Sequence, residues 1–482
     1  MNWALSIPLF IYLIGIFFIG LWANRYVQKT ASFIKEYFIG SRSLGGFILA
    51  MTMMATYGSA SSFIGGPGIA YQTGLGWVLL SMAQLPAGYF VLTVLGKKFA
   101  ILARQYDAVT LTDFLKARYQ SNTVAIFSTL SIIIFLFSSM AAQWVGGARL
   151  LESIFGISYT TALIIFAVSV IVYVVIGGFR AVSFTDAIQG SVMFFGTMIL
   201  LVAVIVAGGG IENIMMTLVE ENPYLISPFG ADGNLTPLYV SSYWILVGVG
   251  LVGLPQLAVR AMSYKDSQAL HRGIIYNTVF VGVIMFGMHL IGVFARAVHP
   301  GIVNGDHVMP TITMEVLPPL LAGIVLAAPL AAIMSTVDAL LITVSSAVVK
   351  DIYLGFINPE ATEREIKIGS FLTTAIIGII VFFIALSPPD FLIWLNLFAF
   401  GGLESTFIWP VIFGLYWNKA NHYGAISAMI IGMTSYILLD QLYPNAFGMH
   451  TVVVPILLSC ISFVLASWMT SGKGTIQSFK HR

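Results

Sequence analysis

Charge is what this 482-residue chain has least of: Asp, Glu, Lys and Arg together supply 9% of it, against about 25% in an average soluble domain. A fold of this length could not cover itself in water with so few. Cysteine is scarcer still, since Cys460 stands alone in an apolar run, which excludes a disulfide framework and a thiolate metal centre. The seven histidines are thinly spread. Neither HExxH nor GxSxG occurs, so a membrane enzyme of the common hydrolytic kinds has no constellation to work with. The net charge is only +2, with basic residues scattered through loops, and nothing marks a nucleic-acid surface. The first apolar stretch has no positive residue before it and no small-residue cleavage site after it, so it reads as a retained helix rather than a signal peptide.

What remains is apolar. Hydrophobic residues make up 58% of the chain and run almost without interruption from Trp3 to Trp468. Requiring about 20 residues per crossing gives thirteen expected spans, at 3–24, 45–70, 75–96, 123–148, 157–178, 184–207, 238–258, 273–297, 316–347, 368–387, 391–416, 423–441 and 451–470. The expectation is an all-α polytopic membrane protein forming one domain. With the amino terminus outside, 20 of the 22 basic residues fall on the inner side, only Arg149 and Arg296 lying outside. That is the bias that the positive-inside rule demands, and one span more or fewer would spoil it. The carboxyl terminus is then cytoplasmic. The outer segment 208–238 carries Glu212, Glu220, Glu221 and Asp232 among Gly and Pro turn signals, which suggests a partly ordered cap.

Two spans are poor helices. Span two reads AMTMMATYGSASSFIGGPGIAY, with Gly58 and small residues at its centre and Gly65, Gly66 before Pro67; span seven reads SSYWILVGVGLVGLPQLAV, with Gly248, Gly250 and Gly253 ahead of Pro255. Paired weak helices at matching places point to an inverted repeat with ion and substrate sites at the breaks. Glycines that simply permit close packing are the plainer alternative. In span nine, Ala332, Ser335 and Thr336 have i, i+3, i+4 spacing and share a face that Thr343, Ser346 and Lys350 continue. Hydroxyls and freed carbonyls are the hard ligands an alkali cation accepts, although each hydroxyl could bond only its own i−4 carbonyl. The ionisable residues expected within the membrane are Asp338, near Ser335, Asp186 at the start of span six and Glu404 in span eleven. Such residues are functional candidates because burial in lipid is costly. No Lys or Arg is expected at mid-span, so an anionic substrate would need a half-helix amino terminus or the co-transported cation as its counter-charge.

The runs EYFIGSRSLGG, SASSFIGGPG, LGKKFAILAR, GGARLLE, GGFRA, SYKDS with HRGI, LAAPLAAIMST and WLNLFAFGGLE, in that order, resemble the sodium:solute symporter family over nearly the whole chain. Within that family the chain is similar to the pantothenate-importing bacterial members. The resemblance implies a five-plus-five inverted-repeat (LeuT-like) core, spans two to six (45–207) mirrored by spans seven to eleven (238–416), with an extra helix at 1–24 and two further helices at 423–470. It implies a co-transported sodium ion held by backbone carbonyls of Ala55, Gly58 and Ala332 and by the hydroxyls of Ser335 and Thr336. Asp186 falls on a family acidic position linked to sodium coupling. Asp338 departs from the neutral residue expected there and offers a second cation or proton site, while Gln256 follows the LP pair where His is frequent.

Further implied are pantothenate as small-molecule substrate, a bacterial inner-membrane location among lipids, and no obligatory protein partner. Polar residues on spans that face the central cavity in the family's fold, Tyr57, Ser59, Ser62, Gln143 and Asn396, are the expected substrate contacts. Proline, another carboxylate or a sugar stay open as substrates, as do a channel or a nutrient sensor built on the same fold.

Overall fold

A computed structural model describes residues 3–27, 35, 38–389 and 391–471. The helices used below are α1 (Trp3–Val27), α2 (Gly46–Tyr57), α3 (Gly66–Thr73), α4 (Asn122–Phe155), α5 (Tyr159–Ala207), α6 (Pro237–Leu246), α7 (Pro255–Ala261), α8 (Ser267–Val298), α9 (Pro319–Ser346), α10 (Glu363–Ala385), α11 (Ile393–Tyr416), α12 (His422–Leu442) and α13 (Val453–Met469). Among the described residues eight helices are long and apolar enough to cross a membrane, two bent pairs would each make one more, and three shorter apolar helices lie at Trp3–Ile19, Tyr159–Val172 and Val453–Met469. All of these fall on stretches expected from the sequence. The basic tail from 472 onward and residues Lys29 and Glu36 of the first basic segment lie outside the described residues.

The surface is that of a protein dissolved in lipid. α10 turns Ile368, Leu372, Ile376, Ile379 and Phe383 outward while Ser370 and Thr374 are buried on its inner face. In water that arrangement would be inside out. In hydrocarbon the apolar side chains meet solvent, and the inward hydroxyls return bonds to the i−4 carbonyls of Ile366 and Ser370 at 2.8 Å each.

α5 departs from the expected pair of spans by running as one 49-residue helical element, about 74 Å if straight, more than twice a hydrocarbon core of ~30 Å. Its two ends nevertheless lie at one face of the molecule. Tyr159 Oη donates to Ala385 O at 2.7 Å, and the segment after Gly208 reaches Arg296 through Glu221 at 2.7 Å. The element therefore crosses twice, as the apolar segments Tyr159–Val172 and Val182–Ala207.

Both weak spans are broken where the glycines stand. α2 stops at Gly58, whose ψ of 113° is extended, and the chain resumes as a wide-turn helix at Ser61–Gly65 that runs into α3, bent by 68° from α2. The second break follows α6: Gly248 leaves helical geometry, Val249–Gly253 forms a 3₁₀ turn, and Leu254 is extended before Pro255 opens α7, a bend of 56°. Proline forces the second stop, since it lacks an N–H and pushes the preceding residue out of the helical region. The far ends of the two broken spans are tied together, because Leu44 N donates to Ser263 O at 3.1 Å and Lys265 N to Leu44 O at 3.0 Å. α9 runs through the centre with 83% of its apolar window buried, packed against α1, α2, α4, α5 and α10.

Candidate functional site

Helix termini leave carbonyls without intrahelical partners, and the break at Gly58 puts such carbonyls in the middle of the protein. α9 answers them with the face read from its sequence. Ser335 Oγ lies 2.8 Å from Ala55 O, 2.8 Å from Ala331 O and 3.2 Å from Ala332 O. Thr336 Oγ1 lies 2.9 Å from Gly58 O, 2.9 Å from Ala332 O and 3.4 Å from Ala55 O. Each hydroxyl has a single proton to donate but three carbonyl oxygens around it. Most of these oxygen pairs therefore face each other without a hydrogen between them, and the cluster is electron-rich. The five oxygens of Ala55, Gly58, Ala332, Ser335 and Thr336 do converge, across two separate helices. All are neutral and hard, and among the described residues no three His, Cys, Asp or Glu side chains gather into an alternative metal centre.

Beside this cluster lies a narrow cavity of about 40 Å³, room for water but well below the roughly 300–1,000 Å³ of sites that enclose a small organic molecule, so substrate entry requires the walls to part. Tyr57, Ser59, Ser62 and Asn396 line it as expected, together with Ser61, Trp77, Gln84, Tyr243, His289 and Phe400. Tyr57 is held in place from two sides: its ring stacks on Phe400 with centroids 6.3 Å apart, and its hydroxyl donates to Gln84 Oε1 at 2.6 Å. The hydroxyls of Ser59 and Ser61 and the indole N–H of Trp77 are buried without a partner among the described residues, an unusual state for polar atoms that a bound ligand would relieve. Asn396 Oδ1 accepts from Ser139 Oγ at 2.6 Å, leaving the amide nitrogen as its donor.

Gln143 does not line the cavity. Its Oε1 accepts from Ala60 N at 2.8 Å and its Nε2 donates to Ser139 O at 3.2 Å, so α4 uses it to hold the backbone of the first break. The polar residue that takes its expected place on the wall is Gln84, whose signal, one amide side chain in the apolar run before Leu85 and Pro86, was present in the sequence.

Asp186, Asp338 and Glu404 are all buried, each with an exposure of 0%. Thr52 Oγ1 donates to Asp186 Oδ2 at 2.5 Å. Arg260, just past the expected end of span seven, is buried: it is 1% exposed, with Nη2 3.7 Å from Asp186 Oδ2 and Nε 3.2 Å from Thr52 Oγ1. The bend into α7 draws it inward from the loop where a straight span would have left it. Asp338, one turn beyond Ser335, is also fully buried and lies close enough to Arg260 and Tyr12 for its charge to reach both.

The loop after α8 packs as a roof over α3 and the start of α11. Gly305 packs on Gly68 of α3, where a Cβ would meet Gly305 Cα at 2.9 Å, and Asp306 Oδ2 accepts from Leu392 N, just before α11, at 3.4 Å. Burial pushes the Asp306 carboxyl up to about 6, against the opposing pull of the Leu392 N–H and of Arg149.

Residues 37–432 match the model of the sodium:solute symporter family. The chain is 50% identical over 470 residues to the sodium/pantothenate symporter of Haemophilus influenzae, covering 97% of this chain and 96% of that one. It is likewise 50% identical over 469 residues to the sodium/pantothenate symporter of Escherichia coli, covering 97% of each. Among solved structures, a Na⁺-coupled sialic acid symporter in a substrate-bound outward-open state superposes with a TM-score of 0.82 at 19% identity over 99% of both chains.

Proposed function

The chain belongs to the sodium:solute symporter family, and on that premise we propose that it imports pantothenate together with sodium by alternating access. It is a transporter rather than an enzyme, and sodium is its co-transported ion. The observation that carries the mechanism is the oxygen cluster that joins α2 to α9. A ligand shifts a conformational equilibrium only by its difference in affinity between the states. A sodium ion touching one helix alone could not do so, whereas one held by Ala55 and Gly58 on the broken span and by Ala332, Ser335 and Thr336 on α9 binds only while the two are together. Six oxygen contacts shared by two protons are what a cation would relax.

Pantothenate suits the chemistry of the cavity lining, which must widen to admit it. Its carboxylate meets no Lys or Arg on the wall, so its counter-charge comes from the amino-terminal end of the helix starting at Ser61, helped by the unpartnered hydroxyls of Ser59 and Ser61 and by the nearby sodium. Its amide and hydroxyl groups match Gln84, Asn396 and Tyr57, and its methyl groups match Trp77, Val247 and Phe400. Ser62 adds a further hydroxyl, and Gln143 acts at one remove by holding Ala60. Asp186 and Asp338 stand as a second cation site, with Arg260 offsetting part of their charge.

The two repeats are 45–207 and 238–416, each opening with a broken span, with 1–24 and 423–470 packed outside them. The distribution of basic residues places the amino terminus outside and the carboxyl terminus in the cytoplasm of a bacterial inner membrane. Uptake of labelled pantothenate into proteoliposomes, with and without an inward sodium gradient and with proline and biotin as competitors, tests the whole reading. Sodium-driven uptake that only unlabelled pantothenate inhibits is the expected result. Uptake indifferent to sodium refutes it.

A further inference from the structure

Glu404 takes no part in the oxygen cluster or the cavity wall. α11 carries it one turn beyond Phe400, which does line the cavity. Its side chain is fully buried, and neither carboxyl oxygen has a hydrogen-bond partner among the described residues. What it faces is the second broken span. A Cβ placed on Gly250 would meet the Glu404 carboxyl carbon at 2.6 Å, and one on Gly253 would meet its Cα at 3.1 Å. Both glycines belong to the 3₁₀ turn at the break, and they are required there because this acid occupies the space a side chain would fill.

The groups whose charge would feel Glu404 are the phenols of Tyr57, from α2, and Tyr436, from α12. Asp440 on α12 reaches Tyr436. Arg118 and Tyr119, on the helix Leu111–Tyr119 packed against α11, bond to the carbonyls of Gly414 and Pro410, roughly three and two turns further along. On α4, Arg149 is paired with Glu152, far toward the other end of that helix. Tyr239 and Tyr243 on α6 bond to each other. No cation among the described residues offsets the Glu404 charge.

The other buried acid makes an instructive contrast. Asp186 faces the first broken span through Thr52 and has Arg260 beside it; Glu404 faces the second broken span and has no such neighbour. An alkali ion needs several oxygens around it, and neither Glu404 oxygen has a hydrogen-bonding group beside it among the described residues. A proton needs one.

We propose that Glu404 is a proton-binding site, and that the second broken span closes over it only while the proton is bound. A bare carboxylate there would have neither water nor a partner, so the buried form is the neutral acid. When α6 and the 3₁₀ turn swing away from α11 at Gly248 and Gly253, water reaches the carboxyl. The proton then leaves to that water as hydronium and a hydrated carboxylate remains; closing again takes one proton back from the water. Protons therefore act as a ligand of the closed form, in addition to sodium and substrate.

The test rests on pantothenate uptake as its readout, and it is arranged so that the two readings fail differently. Sodium-driven uptake by the full-length protein in liposomes is measured with the same pH on both sides, from 6 to 9. The wild type should lose rate on the alkaline side with a limiting slope of about tenfold per pH unit, as one required proton dictates. E404Q, a permanently neutral isostere, should hold the acid-side rate across the range. An alkaline limb that is absent from the wild type, or is the same in E404Q, overturns the proposal. Wild-type protein that takes up no pantothenate at any pH refutes the substrate instead; the site is then judged by infrared spectra at pH 7.5, where a protonated-carboxyl band must be present in the wild type and missing from E404Q. Should E404Q not reach the membrane, E404D must shift the alkaline limb, and an unshifted limb overturns the proposal equally.

Discussion

Thr336 Oγ1 sits 2.9 Å from the carbonyl oxygen of Gly58, so the central helix touches the first broken span at the residue where it ceases to be helical. Removing both hydroxyls, as S335A together with T336A, deletes two of the five proposed ligands while leaving the backbone carbonyls. At about 1.5–3 kcal/mol for a hydrogen bond to a charged group, the half-saturating sodium concentration should rise about tenfold or more. A sodium titration of uptake measures it, and an unchanged midpoint sinks the assignment.

Pantothenate is an anion, so symport with one sodium is electroneutral and symport with two carries one net charge inward. With Asp186 as the proposed second site, uptake should generate current. A membrane potential of ~100 mV then adds about 2.3 kcal/mol, roughly a fifty-fold greater accumulation. D186N should abolish the current before it abolishes uptake. Solid-supported-membrane electrophysiology reads this directly, and electroneutral uptake by the wild type would count against the second ion.

Gln143 predicts a different kind of loss. Q143L leaves Ala60 N buried with no acceptor, a cost of about 1–3 kcal/mol, and frees the first break from α4. Thermal stability should fall and KM should rise, with the sodium midpoint little changed. S169A, at a hydroxyl that bonds only the i−4 carbonyl of Ile165, should alter none of the three.

Asp306 predicts a pH dependence in the loop after α8. Because burial raises its carboxyl to about 6 from 3.8, the folded roof prefers the protonated acid. Its contribution is complete below about pH 4 and is lost as the pH climbs through 6. D306N keeps an oxygen for Leu392 N and has no charge to bury. Its melting temperature should exceed that of the wild type above pH 6 and converge with it near pH 4, as thermal unfolding across that range would reveal.

Orientation is open to chemical labelling because Cys460 is the sole cysteine. In a C460S background, V303C, at a position 90% exposed on the roof loop, should react with a membrane-impermeant maleimide in intact cells. K265C, at the linked far ends of the broken spans, should react only after permeabilisation. The reverse pattern would invert the proposed topology.

The breaks were legible because glycine and proline act locally: Gly58 and Gly248 weaken a helix and Pro255 removes a donor and constrains the residue before it, whatever surrounds them. The Ser335 and Thr336 face was legible for a similar reason, since helical spacing alone puts both on one side. The surroundings of Gln143 and Arg260 were not legible because their fate depends on neighbours far along the chain. Gln143 is claimed by Ala60 across the α4 interface, and Arg260 is turned inward by a bend whose angle no local pattern specifies. The burial of Glu404 likewise follows from glycines at 250 and 253, more than a hundred residues away.

Ser335 has two equivalent acceptors at 2.8 Å, Ala55 on the broken span and Ala331 on its own helix. When the helices part, the hydroxyl keeps the second and loses only the first, so no donor on α9 is stranded. An importer must reset after each delivery with nothing aboard. Here the barrier to that empty step contains no contribution from an orphaned serine, and turnover is free of a delay that a hydroxyl with a single, distant acceptor would have imposed.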